Sequence, residues 1–393
     1  MRALTRIGVA GLAAAATVAA MSAVSLIRPT TAAPDLDAYG RGDDVRMNQI
    51  QFMGAHNAYH REMQGVELEE ALKIDPGLPG WSFYSHASIP DLLERQNVRH
   101  VELDLLPDPE GGLYRYPLPR QRAGLGPIED PDMAKPGMKV LHVPDVDYTT
   151  TCRTFVRCLE QVRDWSRANP GHVPIVIQLE LKQTDDRWEQ LGGAVSPPWD
   201  AALLDDLDAE IRSVFTEKEL ITPDDIRRPG KTLEESILTY GWPKLSWARG
   251  KVMFFFDNVG TGSHLLPLYL EGHPNLEGRA VFPQGRPGDA HAAIMQINDP
   301  RGANQAAIQD LVRRGYFVRT RSDEPLSTVK NEEFSRVQIA LDSGAQVITT
   351  DFPTVGMAAR YDSDFVAELP GGKPVRCNPI SAPAFCKDKD LER

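Results

Sequence analysis

Short apolar runs recur along this chain, each bounded by polar residues, glycine or proline. They occupy residues 50–55, 98–105, 139–143, 173–181, 252–257, 293–297, 316–319 and 347–350. All are rich in Val, Ile, Leu or Phe and short enough to predict strands. Between them, residues 89–95, 154–168, 201–215, 303–314 and 332–343 read as helices. Strands alternating with helices predict an α/β fold on a parallel sheet, and eight strands predict a closed (β/α)8 TIM-like barrel. Neither an internal repeat nor a low-complexity linker divides the pattern. It therefore predicts a single barrel domain over residues 34–393, with a C-terminal extension past the last strand.

The first segment follows another pattern. Arg2 and Arg6 precede an apolar run from Ile7 to Ile27, and Thr30-Thr31-Ala32-Ala33 follows it. A positive start, an apolar middle and small residues before a cut predict a secretory signal peptide over residues 1–33, cleaved near Ala33. A retained membrane anchor competes, because the run is long enough to span a bilayer. Export makes the protein secreted and takes its formal net charge from −12 to about −15, since residues 1–33 hold arginines and no acids. That acidity argues against nucleic-acid binding, which needs a basic face, and is compatible with a cation site. The four cysteines form two local pairs, and an oxidising compartment favours Cys152–Cys158 and Cys377–Cys386 among the possible connectivities. Zinc is the alternative, although neither pair has the C-x-x-C spacing of a knuckle.

Polar residues gather at the C-terminal ends of the early runs. The first ends in His56-Asn57, the second in Glu102-Leu103-Asp104, the third at His142 and the fourth at Glu180. Alternation along the second run puts His100, Glu102 and Asp104 on one face and Val101 and Leu103 on the other. Barrel active sites are assembled at the C-terminal ends of strands. Asn57, Glu102, Asp104 and Glu180 then form an all-oxygen set suited to a hard cation. Calcium fits better than magnesium because it accepts more protein oxygens and irregular geometry. His56 and His142 are the candidate proton carriers. Taken singly, each residue has a plain structural reading, a salt-bridged Glu or a His-Asn turn. Four strand ends sharing one chemical theme favour a site. His100 is expected to pack in the layer beneath it, and His60, His86, His172, His264, His273 and His291 read as structural.

These residues sit in recognisable motifs. Gly54-Ala55-His56-Asn57-Ala58-Tyr59 resembles the Ser-His-Asn-Thr-Tyr element that opens the catalytic barrel of eukaryotic-type phospholipase C. Val101-Glu102-Leu103-Asp104 is similar to that family's Glu-x-Asp, and Val140-Leu141-His142 to the segment carrying its second histidine. Gln178-Leu179-Glu180 is similar to the strand bearing its fourth metal ligand, and residues 344–354 to its closing strand. The ordered set resembles the secreted bacterial, calcium-dependent phosphatidylinositol-specific phospholipases C. That resemblance implies a phosphoric diester hydrolase acting as a monomer on phospholipid at a membrane surface, with no obligate protein partner. It implies calcium held by Asn57, Glu102, Asp104 and Glu180, lowering the pKa of the inositol 2-hydroxyl and stabilising charge on the phosphate. His56 is then the general base on that hydroxyl, and His142 the general acid on the diacylglycerol oxygen. The first product is a cyclic inositol phosphate, hydrolysed further to inositol phosphate or released.

Departures from the pattern narrow the substrate. Lys251-Val252-Met253-Phe254-Phe255-Phe256-Asp257 has one lysine and ends in an acid, where the eukaryotic enzymes have a lysine-rich strand that reads ring phosphates. An unphosphorylated headgroup is favoured. In Phe317-Val318-Arg319-Thr320-Arg321, Arg319 matches the family's Arg-x-Tyr and Arg321 replaces its tyrosine; both are candidate substrate contacts. Lys182 is a candidate phosphate contact or a salt-bridge partner, and Asp257 a candidate hydroxyl contact or a cap. Residues 78–84 and 265–269 are candidate apolar rim loops, with ordinary loop packing the favoured reading of either alone. The rival readings are a glycerophosphodiester phosphodiesterase or sphingomyelinase D-like enzyme on the same barrel, and a non-catalytic binding barrel. His56-Asn57 in place of His-Arg-Gly disfavours the first, and the paired His56 and His142 the second.

Overall fold

The computed structural model describes residues 36–257, 264–324 and 326–392, so the predicted signal peptide lies outside the described residues. Among these residues one curled sheet carries eight principal parallel strands: β1 (Ile50–Ala55), β2 (His100–Leu106), β3 (Ile175–Leu181), β4 (Val252–Asp257), β5 (Val281–Pro283), β6 (Ile294–Gln296), β7 (Phe317–Arg321) and β8 (Val347–Thr350). Their order is β5-β4-β3-β2-β1-β8-β7-β6. The two ends of the curl approach through one parallel bridge, Gln284 with Ile294, where Gly285 N–H donates to Ile294 O at 3.0 Å. The architecture is therefore a curled α/β half-barrel with a thinly paired seam, coarser than the fully paired ring expected from eight strands.

Seven predicted runs became principal parallel strands of this sheet, but one did not. In residues 139–143 only Lys139–Val140 is extended, and it pairs antiparallel with the end of β2. Beyond it the chain turns sharply: Val143 N–H donates to Asp147 O at 3.0 Å and Asp147 N–H to Val143 O at 2.8 Å. The vacant rank belongs to β5, three residues ending in proline, too short for its apolar run to stand out. The predicted helices lie within two residues of Ile89–Glu94, Phe155–Ala168, Ala201–Val214, Ala303–Arg314 and Phe334–Asp342. Thr154 and Asp200 cap two of them by accepting from Arg157 N–H and Leu203 N–H, satisfying donors that a helix start leaves free.

Both faces of β2 are buried, yet the two differ in kind. Val101, Leu103 and Leu105 share the main core with Phe155, Leu159 and Val162 of the Phe155–Ala168 helix. His100, Glu102 and Asp104 take the other face, and all three are buried. Gly54 is required beside them, since a Cβ there would lie 2.5 Å from His100 Nδ1. His100 is fully buried and its pKa is held well below the ordinary value by burial, then by Arg319. It packs beneath the site, as its position in the run implied.

Past β8 the chain returns along the opposite end of the sheet. Arg376–Cys377 pairs antiparallel with Gln51 and Ile50. Glu392 pairs with the buried Arg99 and accepts Val173 N–H at 2.8 Å, tying this tail to the starts of β2 and β3. The expected disulfides Cys152–Cys158 and Cys377–Cys386 are both formed. No helix of the described residues is long and apolar enough to cross a membrane.

Candidate active site

Strand register sets the site. Asp104, Glu180 and Asp257 are aligned across β2, β3 and β4, so three carboxylates stand in one row at the strands' C-terminal ends. Glu102, two residues before Asp104, points to the same side. Ligand oxygens of Glu102, Asp104 and Glu180 lie within 4.8 Å of one another. Asn57 lies in the turn after β1, where its φ of 47° is a left-handed conformation that Asn tolerates better than most residues. Asn57 Nδ2 donates to Tyr84 OH at 3.1 Å, which leaves Oδ1 buried without a hydrogen-bond partner.

The donor set fits a hard cation on three counts. All donors are oxygen. The carboxylates crowd one another: burial, then the neighbouring Glu180 and Glu102 charges, push Asp104 up to about 7 against the opposing Lys182. Neither Asp104 oxygen has a well-directed hydrogen bond, although Lys182 Nζ lies 3.1 Å from Oδ2. Lys182 also reaches Glu180 Oε1 at 3.2 Å. Despite burial, those two carboxylates hold its ammonium above its ordinary pKa. The structure thus places Lys182 in contact with the acidic cluster.

His56 stands beside the cluster, with Nδ1 2.7 Å from Asp351 Oδ1 and Nε2 3.8 Å from Glu102 Oε1. Burial and Arg321 depress its pKa, but the Asp351 and Glu102 carboxylates outweigh them, and it ends above the usual histidine value. Asp351, fully buried, is held well below the carboxylate range by His56 and Arg321 in spite of burial. His86 Nε2 donates to His56 O at 2.8 Å, fixing the backbone that carries the ring. Burial keeps His86 neutral, at about 4.

His142 lies between the short Lys139–Val140 strand and the Val143–Asp147 turn. Its Nδ1 lies 2.8 Å from Asp147 Oδ2, and its ring packs edge-on to Trp81. Burial first, then Lys182 and His60, draw its pKa below the ordinary value against the pull of Asp147. Arg319 is buried and donates to Glu102 Oε2 at 2.7 Å and to Asn298 Oδ1, so its guanidinium is committed beneath the carboxylate cluster. Arg321 Nη2 lies 3.4 Å from Asp351 Oδ2, and Asp257 Oδ2 accepts from Gln296 Nε2 at 2.7 Å. Asp351, Asp147, Tyr84 and Gln296 join the site without having been singled out. Asp351 lies inside the quoted closing motif, but its partner His56 is 295 residues away, and no local spacing signals the pair. In the two candidate rim segments Leu78, Tyr84, Leu265 and Tyr269 are buried, while Trp81, Phe83, Leu266 and Leu268 are partly buried.

The sequence matches the family model described as "Phosphoinositide phospholipase C, Ca2+-dependent" over residues 45–379. The chain belongs to this family. Among solved structures it is similar to a calcium-dependent phosphoinositol-specific phospholipase C from the Gram-negative bacterium Pseudomonas sp. The myoinositol complex of that protein is 17% identical with a TM-score of 0.51, over 86% of this chain and 98% of that one. A second crystal form is 18% identical with a TM-score of 0.51, again over 86% of this chain and 98% of that one. At this identity the likeness shows the fold. No curated protein matches the sequence.

Proposed function

We propose that this family member is a secreted, calcium-dependent phospholipase C that cleaves phosphatidylinositol to diacylglycerol and a cyclic inositol phosphate. The observation that carries the reading is the convergence of three carboxylates, Glu102, Asp104 and Glu180, with two carboxylate-backed histidines, His56–Asp351 and His142–Asp147; Asn57 is the fourth oxygen donor of the reading. Calcium held by the four donors would supply charge to acidify the attacking hydroxyl and to stabilise the phosphate oxygens. His56 Nε2 is the general base on the inositol 2-hydroxyl, with Asp351 fixing the ring and stabilising the proton once taken. His142 Nε2 is the general acid that protonates the leaving oxygen. Arg319 holds Glu102 in place from below. Lys182 and Arg321 supply positive charge beside the phosphate, and Asp257, steadied by Gln296, accepts from a ring hydroxyl. An acid at that place disfavours ring phosphates and so favours an unphosphorylated headgroup.

The remaining parts of the reading follow from the same family. Residues 1–33 act as a cleaved signal peptide, residues 34–393 form one catalytic domain, and the thin seam between β5 and β6 closes a (β/α)8 barrel. The active form is a monomer working on a lipid surface. Exposed Tyr116, Val195 and Val355 lie in segments following β2, β3 and β8, and exposed apolar side chains suit lipid contact. Product analysis with phosphatidylinositol tests the whole: cyclic inositol phosphate and diacylglycerol are expected, only when calcium is present. Release of choline or glycerol phosphate with phosphatidylinositol untouched would favour the sphingomyelinase D-like or glycerophosphodiester phosphodiesterase readings instead.

A further inference from the structure

His60 lies three residues from Asn57, is fully buried, and was read from the sequence as structural. Its ring stacks on Tyr84, with centroids 4.5 Å apart, and meets the His142 ring edge-on at 5.7 Å. Its Nδ1 lies 3.1 Å from Tyr84 O and its Nε2 2.8 Å from Asp147 Oδ2. The same oxygen of Asp147 lies 2.8 Å from His142 Nδ1. One buried carboxylate oxygen is therefore shared by two imidazoles. The Val143–Asp147 backbone pairing fixes the main chain of Asp147, and His60 Nε2 holds its carboxylate through Oδ2. Asp147 is buried, whereas the His142 side chain is 17% exposed and its Nε2 has no hydrogen bond among the described residues.

We propose that Asp147 and His60 form a two-part clamp that holds His142 with its proton on Nδ1 and presents Nε2 to the leaving oxygen of the substrate. Asp147 accepts the Nδ1 proton throughout. When Nε2–H protonates the departing alkoxide, the bond from phosphorus to that oxygen breaks, and His142 is left neutral with Nδ1–H still on Asp147. The ring need not flip to be used again. His60 acts one step back: its Nε2–H donates to Asp147 and its Nδ1–H to Tyr84 O, and this pins the carboxylate within reach of His142. Both are positioning residues. Neither is placed to touch substrate, and the inference rests on the reading of His142 as the general acid. A carboxylate behind a catalytic imidazole selects its tautomer and orientation; here a second imidazole holds that carboxylate in turn.

Ring-nitrogen NMR and kinetics on the calcium-loaded full-length mature protein test the clamp. The neutral form of His142 is expected as the Nδ1–H tautomer in the wild type, and this readout needs no variant to fold. Asp147→Asn is expected to lower kcat by roughly 10²-fold, the lower end of what a positioned acid–base group contributes. KM and calcium affinity measured by calorimetry should stay within about twofold of wild type. His60→Phe keeps a ring over Tyr84 but deletes both donors and should lower kcat similarly, while His60→Gln keeps a donor and should recover part of the loss. An Nε2–H tautomer for His142, or a kcat for Asp147→Asn within about threefold of wild type, overturns the clamp. Equal losses for His60→Phe and His60→Gln reduce His60 to packing and overturn its part. His142→Ala separates the two levels: if it stays active, the assignment of the general acid has failed rather than the clamp.

Discussion

Arg319→Met removes the guanidinium that supports Glu102 from below. The two side chains are 2% and 3% exposed, and their contact is 2.7 Å. Truncating one partner of so buried an ion pair strands the other charge and costs about 3–5 kcal/mol. An unfolding entropy of about 2.1 cal/mol/K per residue over roughly 350 ordered residues gives about 0.7 kcal/mol/K. The loss therefore corresponds to a fall in Tm of about 4–7 °C in chelator. Calcium at a hundred times its Kd stabilises the wild type by about 2.7 kcal/mol, or about 4 °C on the same scale. In Arg319→Met, Glu102 lacks its guanidinium and has more to gain from a cation, so the calcium increment should exceed that of the wild type. Scanning calorimetry of both proteins, in chelator and at one common free calcium concentration set at a hundred times the wild-type Kd, measures all four states. A loss below about 1 kcal/mol in chelator would show that the pair is not strongly coupled. Identical calcium increments would refute the role of Glu102 as a ligand.

His56→Ala and His142→Ala should each lose at least about 10²-fold in kcat while circular dichroism and calcium-dependent Tm stay near wild type; retained turnover in either removes that histidine from the chemistry. Burial, with the Glu180 and Glu102 charges, places the folded Asp104 pKa at about 7, above its unfolded value. The metal-free fold therefore keeps a proton there that the unfolded chain gives up from about pH 4, and the stability this group contributes declines as pH rises to about 7. Calcium must displace the proton, so its affinity should weaken about tenfold per pH unit below about 7, and a flat calorimetric profile from about pH 5.5 to 7 would contradict this. Cys377→Ser with Cys386→Ser opens a short loop and should cost about 2–3 kcal/mol in urea unfolding; an unchanged midpoint would mean that the tail is held by Glu392 and Arg376 alone.

The strands legible in the sequence were those long enough to show a run: Val252–Asp257 and Ile175–Leu181 are apolar over six and seven residues with few interruptions. Val281–Pro283 escaped because three residues carry no periodicity. Residues 139–143 misled because an apolar run records burial, not pairing direction, and this one is buried at the edge of β2 before the Val143–Asp147 turn. At the site, the acids at strand ends were readable because alternation assigns their face. Glu102, Asp104 and Glu180 do converge. What alternation cannot give is the partner of a charge. Arg319 matched a headgroup-binding motif, yet its guanidinium is committed to Glu102 across a separation of 217 residues. Asp147 sits five residues after His142, a spacing with no meaning until the turn that folds it back is known.

β1 is synthesised early and completed late. Residues 52–55 wait for residues 347–350, and Ile50 and Gln51 for Cys377 and Arg376. A growing chain therefore carries one edge of an apolar strand bare until roughly 300 further residues have followed it, the kind of long-range pairing that slows folding and invites association between chains. Under the secretion reading this becomes an order of assembly. The sheet is completed only when the returning tail arrives, and Cys377–Cys386 locks that tail in the compartment where its bond can form.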